Sequence, residues 1–302
     1  MINKTALTYI LIVGIAGGVG ATTGIIGKRI LGQEEIDYAG FNPNEFKMDS
    51  VELLKSYYKD PAKTVKDSTP AALVNIGLEK YRQCENSYSV TIGTAETIVS
   101  QTVRNFQIKN GNTYFEEAIS NSSMVKLADR AIQDGVDSPI VLYHGSSVSA
   151  TQGTYPENGE TVEKTAYKER LGKTLDEMFI YLISDKTTLS EGSKIEKLSN
   201  GDIQVTLNLN PDIATYYYKF QMKNVSGLDR FPSFEYVKHT YTFASNMDIK
   251  HCYINEKYSA SMGVTVNITN GFDIYYHPNE YIKIPKYNES LDYNQEGDSN
   301  NG

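Results

Sequence analysis

Four histidines and two cysteines make up the chain's stock of imidazole and thiol ligands. Three of the histidines, His239, His251 and His277, lie near Cys252 in the last quarter of the chain. Two imidazoles facing each other across a hairpin can hold a transition metal. A turn centred on Ala244-Ser245-Asn246 pairs Phe243 with Met247, Tyr241 with Ile249, His239 with His251 and Val237 with Tyr253. That register gathers a mainly apolar set on one face. Strand alternation sends Cys252 to the opposite face, and His277 sits beside Pro278, so the two histidines read as structural and no metal is assigned. No G-x-S-x-G elbow occurs, and no histidine falls in a nucleophile context. Glu116-Glu117 and Asp176-Glu177 read as a solvated face and the first turn of a helix. No catalytic residue and no cofactor are therefore expected, and the chain is read as a non-enzyme.

The glycine-rich run Ile15 to Thr23 follows apolar residues, as a phosphate-binding loop would. Ala21, however, stands where such a loop needs its lysine. The run belongs instead to Thr5–Gly27, 23 residues without a charge, closed by Lys28 and Arg29. That length matches the ~30 Å of a bilayer core, so residues 1–31 read as a single-pass membrane anchor. Cleavage as a signal peptide after the small residues Val19 and Ala21 is the alternative. The expected orientation puts the N-terminus inside and the following domain outside, at a bacterial cell envelope. A net charge of -8 gives a nucleic-acid partner no support. Cys84 and Cys252 are open to either reading, a disulfide or two buried thiols.

Residues 32–68 are polar, with Pro43 and Pro61, and read as a stalk containing one short helix capped by Ser50, with Val51, Leu54 and Tyr58 on one face. Residues 69–287 read as the folded domain. Thr69-Pro70 opens a helix that carries Ala71, Val74, Leu78 and Tyr81 on one face. Beyond Asn86 the period falls to two, and Asn-Gly pairs at 110, 158, 200 and 270 suggest hairpins. Tyr216, Tyr218, Phe220 and Met222 alternate as one face of a strand. A capping box, Thr174 with Glu177, predicts a helix whose stripe is Leu175, Met178, Phe179 and Leu182. Residues 288–302 are acidic and rich in Asn, Gly and Ser, and read as a disordered tail.

Helix, strands, a central helix through Leu171-Gly172-Lys173-Thr174-Leu175-Asp176-Glu177, then long antiparallel strands: this order resembles the lipoprotein-carrier (LolA/LppX-like) half-barrel. The resemblance covers roughly residues 69–285 and implies an α+β fold in which a curved antiparallel sheet wraps one or two helices. It also implies an apolar cavity for acyl chains and carries no catalytic residue. The expected ligand wall is Tyr216, Tyr218, Phe220, Met222, Tyr241, Phe243, Met178, Phe179 and Leu182. The expected function is non-catalytic binding of a lipid or other apolar ligand. The alternative is an envelope scaffold with a filled core and a protein partner, and cavity volume separates the two.

Overall fold

A computed structural model describes residues 38–97, 100–123, 126–226, 228–261, 265–286 and 289–291. The expected anchor, Thr5–Gly27, and nearly all of the expected tail lie outside the described residues. Among the described residues no helix is long and apolar enough to cross a membrane.

The fold is α+β and dominated by one open sheet of twelve strands. The strands are β1 (Asn86–Glu96), β2 (Ser100–Asn110), β3 (Thr113–Asn121), β4 (Lys126–Asp134), β5 (Ile140–Ser147), β6 (Gly153–Thr154) and β7 (Glu160–Val162), then β8 (Thr188–Lys197), β9 (Ile203–Leu209), β10 (Ser233–Phe243), β11 (Ile249–Ser261) and β12 (Thr265–Pro278). Their spatial order is β6-β5-β4-β3-β2-β1-β12-β11-β10-β9-β8, with β7 beside β5. Two meanders thus meet where β1 pairs antiparallel with β12. Asn110-Gly111 and Asn200-Gly201 turn the chain between β2 and β3 and between β8 and β9, as expected from the dipeptides.

Asn270-Gly271 does not turn. Both residues lie inside β12, where the Asn270 amide donates to the Glu256 carboxylate at 2.8 Å instead of closing a loop. Close packing reinforces the straight path: a Cβ on Gly93 of β1 would lie 2.3 Å from the Phe272 ring.

The helices are α1 (Ser50–Lys59), α2 (Pro61–Asp67), α3 (Pro70–Arg82), α4 (Lys164–Leu171), α5 (Pro211–Ala214) and α6 (Tyr216–Ser226). Helix α3 follows its sequence signals: the Thr69 hydroxyl accepts from the Ala72 amide, and Ala71, Val74, Leu78 and Tyr81 are buried. From residue 38 the expected stalk is folded against the body. Asp49, not Ser50, caps α1, and Leu54 and Tyr57 enter the main core while Val51 and Tyr58 stay exposed. Ser50 donates to Glu79 of α3 at 3.0 Å.

Two further expectations are corrected. Tyr216 to Met222 is helix α6, not a strand. Asn210 and Pro211 start a helical turn just before it, and burial of Tyr218, Lys219 and Met222 follows the helical period. The expected helix from Thr174 does not form. Its cap forms in part, the Thr174 amide donating to the Glu177 carboxylate at 3.0 Å, but Met178 turns left-handed at φ 57° and the chain runs on without regular structure. A stretch apolar on every side, Met178 to Ile183, is suited to burial on more than one face rather than to a one-sided helix.

The main core lies between α1, α3, α6 and the inner face of β9–β12. Behind β1–β4, on the outer face, Tyr88, Phe106, Ile108, Phe115 and Ile119 pack with Ile282, Ile284 and Leu291 of the C-terminal segment. Arg130 fastens that segment, donating to the carbonyls of Lys286 (2.8 Å) and Glu289 (2.6 Å) while pairing with buried Glu117. Cys84 and Cys252 are both buried free thiols, which closes the question the sequence left open.

Candidate functional site

Residues 177–183 form a strap across the inner face of the sheet. Gly172 ends α4 in a left-handed cap, and the next residue, Lys173, is buried against Glu116 of β3 at 3.2 Å. Asn105 and Gln107 of β2 each donate to the same carboxylate at 3.0 Å. At the far end the Asn75 amide of α3 holds the Ile183 carbonyl at 2.9 Å, and the Leu182 amide donates to the Ala214 carbonyl at 2.9 Å. Thr187 closes the end, giving its hydroxyl to the Leu182 carbonyl and accepting from the Ser184 amide, both at 2.8 Å.

The strap's middle is tied to a buried acid. Glu256 of β11 is fully buried and accepts from Tyr181 of the strap (2.8 Å), Tyr218 of α6 (3.2 Å) and Asn270 of β12 (2.8 Å). Burial pushes its pKa up to about 7, against the pull of these three donors. Burial and the neighbouring carboxylate drive both phenols well above their usual range.

Beside this cluster sits His239 of β10, also fully buried. Its Nδ1 lies 3.0 Å from the Tyr241 hydroxyl, its ring meets the Tyr181 ring edge-on at 4.6 Å, and its Nε2 has no partner. Burial lowers its pKa to about 3, so the ring is neutral at physiological pH. His239 is one of the residues lining a hollow of about 70 Å³ under the strap. Met178, Phe179, Ile180 and Ile183 roof the hollow, Tyr241, Ile254, Ile274 and Tyr276 floor it, and Thr91, Asn105 and Gln107 give it one polar side. Two open clefts, about 220 and 250 Å³, lie along the strap and share Phe179, Tyr181 and Ile183 with the hollow.

The structure brings together only part of the expected ligand wall. Met178, Phe179 and Tyr241 meet at the hollow. Leu182 lines the 220 Å³ cleft instead. Phe243 is core, pressed on Gly77 of α3. Tyr218 and Met222 are core residues of α6, while Tyr216 and Phe220 join Tyr38, Phe41 and Phe231 in a separate aromatic cluster.

The expected His239–His251 pair is also broken. The β10–β11 turn runs through Met247 at φ 64° with a bulge beside Phe243, so His239 faces Ile254. His251 faces Thr242 and bonds Asp273 at 2.9 Å. No cluster of three metal-ligating side chains exists among the described residues.

Sequence reasoning passed over Glu256, Asn270 and Tyr181. A signal was present: Glu256 falls at an inward position between Ile254 and Tyr258. A charge on an apolar strand face points to a buried hydrogen-bonding site.

The largest of these spaces is on the surface. A groove of about 370 Å³ runs between α2 and the β8–β9 hairpin, lined by Tyr57, Pro61, Ala62, Val65, Ile195 and Ile203, with Lys197 at its edge. No protein-family model matches the chain, and no curated protein sequence matches it.

Proposed function

We propose that this is a non-catalytic interaction domain of the cell envelope, held at the membrane by Thr5–Gly27. On this reading it docks a partner protein in the groove between α2 and the β8–β9 hairpin. The observation that carries the reading is where space is found. Around the expected ligand wall it is divided among a hollow of about 70 Å³ and clefts of about 220 and 250 Å³, each below the 300–1,000 Å³ of small-molecule pockets, whereas the surface groove holds about 370 Å³. On the same reading the open sheet is a half-barrel, and the strap fills the space that acyl chains occupy in the lipoprotein-carrier family.

Charge supports a partner segment that is apolar with acidic flanks. The carboxylates around the groove are engaged: Asp60 caps α2, Asp67 pairs with Lys63, Glu196 with Lys194 and Asp202 with Lys250. Lys66 and Lys197, both exposed, have no ion-pair partner among the described residues. Strand addition at the neighbouring edge is a poorer fit, since β8 carries a register shift between Leu189 and Lys194 and a run of charges.

A photo-crosslinking residue at Ile195, with exposed Val148 as control, tests the proposal in the source cells. The expected result is an adduct at Ile195 alone whose sequenced partner segment is apolar and acid-flanked. As a synthetic peptide, that segment should bind the chain, lose affinity with salt, and lose it again with Ile195→Glu. Equal adducts at both positions, or peptide binding indifferent to Ile195→Glu, contradict it.

A further inference from the structure

We propose that the hollow beneath the strap is a second, independent binding site, taking a small neutral molecule whose hydroxyl engages His239 Nε2. Four observations converge on it. The hollow is real space, about 70 Å³, and one wall of it is the imidazole of a fully buried histidine. That imidazole has an unpartnered nitrogen, and a buried polar atom without a partner is costly enough that native structures seldom keep one.

The remaining walls fit a short amphiphile. Leu78, Met178, Ile254, Ile274 and Tyr276 offer apolar contact, while Thr91 and Gln107 lie on the β1–β2 side. The fourth observation is access, because the strap that roofs the hollow also borders the two open clefts.

The chemistry narrows the ligand. Tyr241 faces Nδ1, and its hydroxyl either donates to that nitrogen or accepts from it, leaving Nε2 as a donor in one case and an acceptor in the other. A hydroxyl both donates and accepts, so it satisfies either tautomer. A carboxylate or an ammonium would find no opposite charge among the residues that line the hollow, which an apolar setting penalises. Size sets the last limit. A cavity of about 150 Å³ holds benzene, so about half that volume suits roughly three to five non-hydrogen atoms.

The test uses the full chain with isotopically labelled histidine and 1-propanol as probe, with propionate and propylammonium as charged controls. The chain has four histidines, so replacing each in turn assigns its ring signals. The expected result is a saturable shift of the His239 ring signals alone, at roughly millimolar concentration for so small a ligand. Leu78→Phe, which fills the hollow, should weaken that response at least about tenfold. Ile183→Phe, filling it from the strap, gives the same reading if Leu78→Phe does not fold. A non-saturating drift shared by all four histidines means the hollow holds water only and overturns the proposal. An equal response to either charged analogue overturns it as well.

Discussion

Replacing Glu256 by Gln should remove a specific pH dependence of folding stability. Burial raises this carboxyl from 4.5 to about 7, so the folded protein holds its proton more tightly than the unfolded chain does. The contribution is therefore whole below pH 4.5 and is lost as pH rises to about 7. At 1.36 kcal/mol per pH unit the loss is about 3 kcal/mol.

The groups facing Glu256 are Tyr181 from the strap, Tyr218 from α6 and Asn270 from β12, with Tyr258 on its own strand. The phenols are driven further up, above the pH range of the experiment, and stay neutral. His239 acts in the opposite sense. Its pKa falls from 6.5 to about 3, so its contribution is present above pH 6.5 and is lost as pH falls toward 3. The two effects partly cancel in the parent protein, so the informative quantity is the difference between parent and Glu256→Gln. Urea unfolding of both proteins from pH 4 to 8 measures it. Relative to the variant, the parent should lose about 3 kcal/mol across that range. A difference constant to within about 1 kcal/mol would refute the reasoning, since Glu256 would then titrate alike in the folded and unfolded chains.

Three other outcomes follow from the packing. Leu207→Ala opens a void in the fully buried inner face of β9 and should cost about 2–5 kcal/mol by denaturant titration. Gly77→Ala should lower the melting temperature despite alanine's better helix propensity, because the new Cβ would lie 2.2 Å from the Phe243 ring; Phe243→Leu in the same chain should restore part of the loss. Arg130→Met strands the Glu117 charge and removes both donors to the C-terminal segment. A loss of about 3–5 kcal/mol is expected, with faster hydrogen exchange across residues 281–286.

The outline of this fold was legible where one local signal acted alone. Thr69-Pro70 marked α3, and Asn110-Gly111 and Asn200-Gly201 marked two turns. Reading failed where two signals competed. Aromatic alternation from Tyr216 pointed to a strand, but Asn210 and Pro211 had already started a helical turn. The capping box at Thr174 formed in part, yet the apolar run behind it was needed as a strap between packed elements. Asn270 had two possible partners, its own turn and Glu256, and only the folded sheet brings Glu256 within reach. The site was harder still. Tyr241 was nominated for its face, but the hollow beside it depends on Tyr181 and on the register of β10 against β11, which one left-handed residue, Met247, helps shift.

The most direct test of the central claim, a filled core with recognition at the surface, is native mass spectrometry of the purified full chain, released from detergent and followed by organic extraction. A single mass equal to that of the chain, with no stoichiometric lipid in the extract, is the predicted result. A one-to-one lipid adduct that survives collisional stripping would contradict it, and would mean that the strap opens to admit an acyl chain.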